Sequence, residues 1–276
     1  MTQPLPYAPA LDGARAALEA PGLDDAERFG QLTDAVVFGR VRLLARMFVA
    51  RHGARVHGGP FAGMALPTGV SDGCFLPKLL GCYEQELHGA IAALPRRDVR
   101  RVVVVGCAEG YYAVGLARLL LGATVVAFDI DPRARTLCAA LATANGVADR
   151  VRIAAEATSA ELDAALAEAP AFLLCDCEGC EYALLDPARV PGLRRAHAVV
   201  ELHGAADDAG RIDDLLGRFA ATHDVALIGH GPRDPAAMPA LAGWKQLDQW
   251  LAVWEFRGQA TPWAVLAPRI VPASAG

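Results

Sequence analysis

Arg101-Val-Val-Val-Val-Gly-Cys-Ala-Glu-Gly-Tyr-Tyr-Ala-Val-Gly-Leu-Ala117, continued by Gly122-Ala-Thr-Val-Val-Ala-Phe-Asp-Ile-Asp131, is the stretch that decides the fold. Four consecutive valines, Val102 to Val105, are β-branched and apolar on both faces, as a strand inside a parallel sheet requires. Gly106 and Gly110 follow where strand turns into helix, a place where missing side chains admit a ligand and the next helix aims free N–H groups at it. A second apolar run, Thr124 to Phe128, ends on Asp129, which sets a carboxylate at the carboxyl edge beside that turn. A carboxylate there accepts both protons of a ribose diol.

The glycine spacing then selects the kind of nucleoside. A dinucleotide fingerprint needs G-x-G-x-x-G, whose later glycines would fall here at Ala108 and Tyr111. What remains is G-x-x-x-G with Glu109 inside the loop. An acid in that loop repels a pyrophosphate and tolerates a cation, so the pattern favours S-adenosylmethionine, with its sulfonium and α-amino group, over NAD.

The chain around this stretch has 276 residues, 54% of them apolar, enough to bury a substantial core. Its net charge of −5 leaves no basic footprint for nucleic acid. No apolar run reaches the length of a membrane span, and the N-terminus lacks a basic-then-apolar signal, so a cytoplasmic protein is expected. Seven cysteines in mostly apolar contexts read as reduced thiols.

Residues 1–95 read as an N-terminal helical segment, serving as a lid or in a homodimer interface, and 96–276 as the cofactor domain. Within the first part, Asp24 to Ala50 spaces Phe29, Leu32, Val36, Val37, Leu43, Leu44 and Met47 as one apolar stripe of a helix. His57 to Pro67 reads as an extended segment and turn, and Pro77 opens a single helix running to Ile91. Beyond it, strands are expected at 102–106, 124–129, 150–154, 171–176, 197–202, 224–229 and 262–267, and helices at 110–121, 133–145, 159–168, 208–221 and 244–251. Alternation with short connections is the signature of a doubly wound α/β sheet.

A second constellation lies at the ends of the fourth and fifth strands. In Ala171-Phe-Leu-Leu-Cys-Asp-Cys-Glu-Gly-Cys-Glu181 and Ala198-Val-Val-Glu-Leu-His203, residues two apart share a face, pairing Asp176 with Glu178 and Glu201 with His203. Ligands of open α/β sheets bind at those strand ends. Cys175 and Cys177 face the other way, Cys180 lies in the turn, and all three read as small buried hydrophobes, since structural zinc wants four ligands. No metal is assigned, although Asp176, Glu178, Glu201 and His203 are chemically suited to Mg²⁺, Mn²⁺ or Fe²⁺.

These runs resemble the class I S-adenosylmethionine-dependent methyltransferases, and within them the FkbM-type branch. The resemblance rests on the glycine loop with Glu109, on Phe128-Asp129-Ile130-Asp131-Pro132, on Asp176-Cys177-Glu178-Gly179-Cys180-Glu181 and on Val200-Glu201-Leu202-His203, and covers about residues 55–268. It implies a Rossmann-like, seven-stranded, mostly parallel sheet with an antiparallel last strand. The branch carries a glutamate where Asp129 stands, so this chain's ribose acid is shorter. Carried over, the resemblance places Gly106, Cys107, Glu109 and Gly110 along the methionine moiety, Asp129 on the ribose, Ile130 on the adenine and Glu156 on the adenine amino group. Asp176 and Glu178 would face the sulfonium and substrate, with Tyr83 and Glu84 capping the cofactor.

Methyl transfer mainly requires alignment of the nucleophile and removal of its proton. His203, oriented by Glu201, is the expected base, with Asp176 positioning; His57 and His223 are weaker alternatives. The expected activity is methylation of a hydroxyl or amine of a small molecule. The alternatives are a non-methylating enzyme or sensor that binds the same cofactor, and an NAD-linked oxidoreductase.

Overall fold

The computed structural model describes residues 7–67, 74–167, 170–204, 209–259 and 261–269. The expected helix end at 168 and helix start at 208 lie outside the described residues. Two helices come first: α1, Ala8–Glu19, and α2, Asp25–His52. Asp24 starts α2 by accepting from the Glu27 N–H while the Glu27 side chain accepts from the Asp24 N–H, so two otherwise unsatisfied donors are paired. The expected apolar stripe is only half used. Leu43, Leu44 and Phe48 are buried, whereas Phe29 and Val36, earlier in the helix, are 70% and 51% exposed. Only the C-terminal half reaches the main hydrophobic core, through Leu44, Ala45 and Phe48, while α1 packs on the helix at Gly39, where a Cβ would sit 2.7 Å from that of Ala10.

The single helix expected from Pro77 to Ile91 is two. α3, Phe75–Leu80, stops at Gly81, a 3₁₀ turn covers Gln85–Leu87, and α4, His88–Ala93, follows. Gly81 has φ +79°, and a Cβ there would meet the Gly58 carbonyl oxygen at 2.1 Å, so close backbone packing ends the helix. Glu84 then adopts φ +46°, which turns its carboxylate inward.

The remainder alternates as the sequence predicts: β1 Arg101–Val105, α5 Tyr111–Leu119, β2 Thr124–Phe128, α6 Pro132–Ala144, β3 Val151–Ala154, α7 Ser159–Leu166, β4 Ala171–Cys175, α8 Glu181–Leu184, β5 His197–Glu201, α9 Ala209–Gly217, β6 His223–Ile228, α10 Gln246–Ala252 and β7 Trp263–Pro268; the short α8 is a helix that the sequence reading does not include. They form one seven-stranded sheet in the order β3-β2-β1-β4-β5-β7-β6. The first five run parallel, and β7 is antiparallel to both β5 and β6. This is the Rossmann-like, doubly wound architecture.

Alternate valines of β1 face opposite layers. Val102 and Val104 join the core under α5, α6 and the N-terminal helices, and Val103 and Val105 join the one under α7, α8 and α9. Winding reverses between β1 and β4, so a crevice opens above their carboxyl ends. Among the described residues no helix is long and apolar enough to cross a membrane.

Candidate functional site

A cavity of about 1040 Å³ fills that crevice. Tyr83, Glu84, Gly106, Cys107, Glu109, Asp129, Ile130, Glu156, Asp176, Glu178, Glu201 and His203 line it, and Gly110 ends its glycine turn as the N-cap of α5. Gly106 has φ +79°, and a Cβ on it would lie 1.6 Å from the Asp176 carbonyl oxygen, so β1 and β4 meet at this turn only because the side chain is missing.

Asp129 ends β2 and ties the loop together: the Ala108 N–H donates to its Oδ2 and the Asp131 N–H to its Oδ1, each at 2.8 Å. Its carboxylate stands fixed at the cavity wall with lone pairs left for hydroxyl donors. Ile130 is 80% exposed and Glu156 is exposed, so both stand at the outer lip of the cavity.

Glu109 is not an open cation site. The Lys78 ammonium, from α3, donates to its Oε1 at 2.6 Å, and both side chains are almost wholly buried. The same ammonium sits 4.6 Å from the centre of the Tyr83 ring. Glu109 is thus already neutralised, and the acidity of the cavity comes from elsewhere.

Four further carboxyl groups, Glu84, Asp176, Glu201 and Glu255, line the same cavity. Glu84 is fully buried; it accepts a short hydrogen bond from the Tyr112 hydroxyl, and Arg257 Nη2 donates to its Oε1 at 2.6 Å. Arg257 also donates to Glu201 and, at 3.4 Å, to Glu255. Burial, reinforced by Glu201, pushes the Glu84 carboxyl up to about 8. Burial and the neighbouring Glu201 and Glu84 charges likewise raise Asp176 well above the carboxylate range.

His203 lies just past the end of β5. Its Nε2 is 3.3 Å from Glu178, 3.6 Å from Asp176 and 3.6 Å from Glu201. Burial alone would lower its pKa, but the nearby Glu181 carboxylate and the Glu201 and Glu178 charges outweigh it and raise it. Two of these acids flank the ring from opposite sides, Glu181 at Nδ1 and Glu201 at Nε2. Glu181 is fully buried, lies 3.5 Å from Nδ1, and accepts the His203 and Gly179 backbone N–H groups at 3.0 and 2.9 Å. Glu201 is instead held by Arg257. Asp176, Glu178 and His203 each offer one ligand atom within 4.8 Å of the others, as do Glu84, Asp176 and Glu201, so either trio is close enough to share a cation.

Two expectations fail here. His57 packs edge-on against Phe48, and His223 is buried on hydrogen bonds to Thr222 and the Ala196 carbonyl; neither lines the cavity. Cys177 and Cys180 are joined as a disulfide at the cavity wall, so they are not reduced thiols; Cys175 remains a buried thiol. A three-residue spacing across a tight turn brings the sulfurs together, and that geometry prevails over the compartment argument.

Sequence reasoning gave no role to Lys78, Tyr112, Glu181, Glu255 or Arg257. Of these only Glu181 carried a local signal, its place in the Asp176–Glu181 run.

No protein-family model matches the sequence, and no curated protein matches it. Among solved structures, the O-methyltransferase from Bacillus cereus in complex with SAH is similar over 93% of this chain and 96% of that chain, with 11% identity and a TM-score of 0.43. Cofactor-bound Rv0187 from MTB is similar over 96% and 98%, with 18% identity and a TM-score of 0.42. An rRNA methylase from Streptococcus thermophilus is similar over 67% and 97%, with 14% identity and a TM-score of 0.45. None of these values carries an assignment, and the chemistry rests on the cavity itself.

Proposed function

We propose that this chain is an S-adenosylmethionine-dependent methyltransferase that acts on a hydroxyl or amine of a small molecule. The observation that carries the reading is the charge of the cavity. Eight carboxyl groups line it (Glu84, Glu109, Asp129, Glu156, Asp176, Glu178, Glu201 and Glu255), of which burial favours the neutral form of Glu84 and Asp176, against three fixed cations, Lys78, Arg189 and Arg257, and the imidazole of His203. Such a lining opposes a pyrophosphate and suits a cofactor bearing a sulfonium and an ammonium group. Within that class, the Asp176–Glu181 run and the acid-Ile-Asp-Pro run after β2 favour the FkbM-type branch.

The donor set fits this cofactor. Asp129 accepts the ribose hydroxyls, Ile130 and Glu156 border the adenine, and the turn from Gly106 to Gly110 borders the methionine moiety. When bound, the cofactor supplies a methyl group already activated by its sulfonium. His203 Nε2, which faces the cavity beside Asp176, Glu178 and Glu201, would take the proton of the acceptor hydroxyl or amine. Because the surrounding acids raise the His203 pKa, the imidazole is free to accept a proton only at a pH above that of an ordinary histidine. Asp176 holds the acceptor, and Tyr83 and Glu84, from the N-terminal segment, cap the cavity.

Thermal unfolding with S-adenosylhomocysteine and with NADH tests the reading. A ligand at a hundred times its Kd stabilises by about 2.7 kcal/mol, a rise of roughly 5–10 °C for a chain of this size. S-adenosylhomocysteine should produce that rise in the native protein and not in Asp129→Ala. A rise with NADH alone would overturn the assignment.

A further inference from the structure

We propose that the Cys177–Cys180 disulfide is a thiol-exchange site in the cavity wall, through which a solution thiol sets how firmly Glu178 is held over the pocket. The exchange rests on the geometry of the pair alone. Its consequence for turnover rests on the methyltransferase reading.

The disulfide spans Glu178 and Gly179, which have φ of +55° and +108°. Glu178 sits in the left-handed region that non-glycine residues rarely occupy, so its backbone is strained. Its side chain is 86% exposed, so its place 3.3 Å from His203 Nε2 depends on the backbone under it. The sulfur bridge closes that backbone from both sides. The Gly179 N–H, inside the bridged loop, donates to Glu181 at 2.9 Å, the same carboxylate that receives the His203 N–H. Loop, Glu181 and the His203 backbone are therefore mechanically continuous.

The two sulfurs differ in access. Cys180 is exposed, while Cys177 is half-buried, with its Sγ 3.4 Å from Glu181 and 3.6 Å from the Cys175 sulfur. An incoming thiolate reaches Cys180 Sγ, forms a mixed disulfide there and expels Cys177 as a thiolate, which takes up a proton. A second thiolate attacks the external sulfur of the mixed disulfide and releases Cys180. The sum is one protein disulfide and two thiols giving one protein dithiol and one small disulfide. The other five cysteines are buried, so this pair is the one that solution thiols reach.

The test treats the native protein with reduced glutathione or dithiothreitol, alkylates it without denaturation, and follows hydrogen exchange of the 176–184 peptide. Alkylation should rise from zero labels to two, on Cys177 and Cys180, and the Gly179 amide should exchange at least about tenfold faster after reduction. The Cys177→Ser/Cys180→Ser variant should show the faster exchange with no reductant. Should it not fold, Cys180→Ser alone must show the same. No labels after reduction, or two labels with unchanged exchange, overturns the proposal. S-adenosylhomocysteine binding, measured in both redox states, reports separately on the pocket: its absence in both would sink the methyltransferase reading and leave the labelling result standing.

Discussion

Replacing Arg257 with alanine removes the cation that joins Glu84, Glu201 and Glu255, three carboxylates that are each no more than 7% exposed. The penalty has a ceiling set by protonation, because a stranded carboxylate can take up a proton instead of staying charged. That uptake costs about 1.4 kcal/mol for each pH unit above the ordinary glutamate value of 4.5. The ceiling is thus about 1.4 kcal/mol at pH 5.5 and about 5 kcal/mol at pH 8, in line with the ~3–5 kcal/mol seen when one partner of a buried pair is removed. Lost packing and the 3.0 Å hydrogen bond to Thr261 add a part that does not vary with pH. Glu84 enforces the sign. Its folded pKa is raised, so the folded state holds more protons than the unfolded chain between about 4.5 and 8, and stability falls as pH rises through that window. Arg257→Ala adds a second such carboxylate, because the buried Glu201 loses its guanidinium partner and takes up a proton in its place. Urea unfolding of native and variant protein at pH 5.5 and 8.0 should show a destabilisation larger by about 3 kcal/mol at the higher pH. A destabilisation equal at both pH values would refute the reasoning, since Arg257 would then be compensating no buried charge.

Three further outcomes follow from the same geometry. Lys78→Met leaves Glu109 buried without its ammonium and should cost ~3–5 kcal/mol in urea unfolding, while Lys78→Met/Glu109→Gln should recover most of it; no recovery would mean the lysine stabilises by packing alone. Gly106→Ala drives a Cβ into the Asp176 carbonyl and should cost more than about 3 kcal/mol and abolish stabilisation by S-adenosylhomocysteine; a variant that still binds would show the turn to be more plastic than drawn. His203→Ala should leave cofactor affinity nearly unchanged and lower turnover by on the order of a hundredfold. Turnover equal to the native enzyme's would remove His203 from the chemistry.

The fold was legible because each strand announces itself locally. Val102 to Val105 need no partner to read as a doubly buried strand, and the Asp129 and Asp176 strand ends follow from apolar runs that stop on an acid. The convergence of Asp176, Glu178, Glu201 and His203 was legible for a similar reason, since adjacent parallel strands bring their ends together whatever else the chain does. The cations that balance them were not. Lys78 meets Glu109 across 31 positions, and Arg257 meets Glu84 across 173, and neither periodicity nor spacing carries a signal over such separations. The break at Gly81 links the two failures. Read as a helix interruption, that glycine forecasts that Glu84 leaves the helical path; the positive φ that follows is what turns its carboxylate onto Arg257. An acid buried in this way survives only with a cation or a proton, so the misplaced helix end and the missed arginine are one error: a helix drawn straight through Gly81 leaves Glu84 on its surface, with nothing for Arg257 to neutralise.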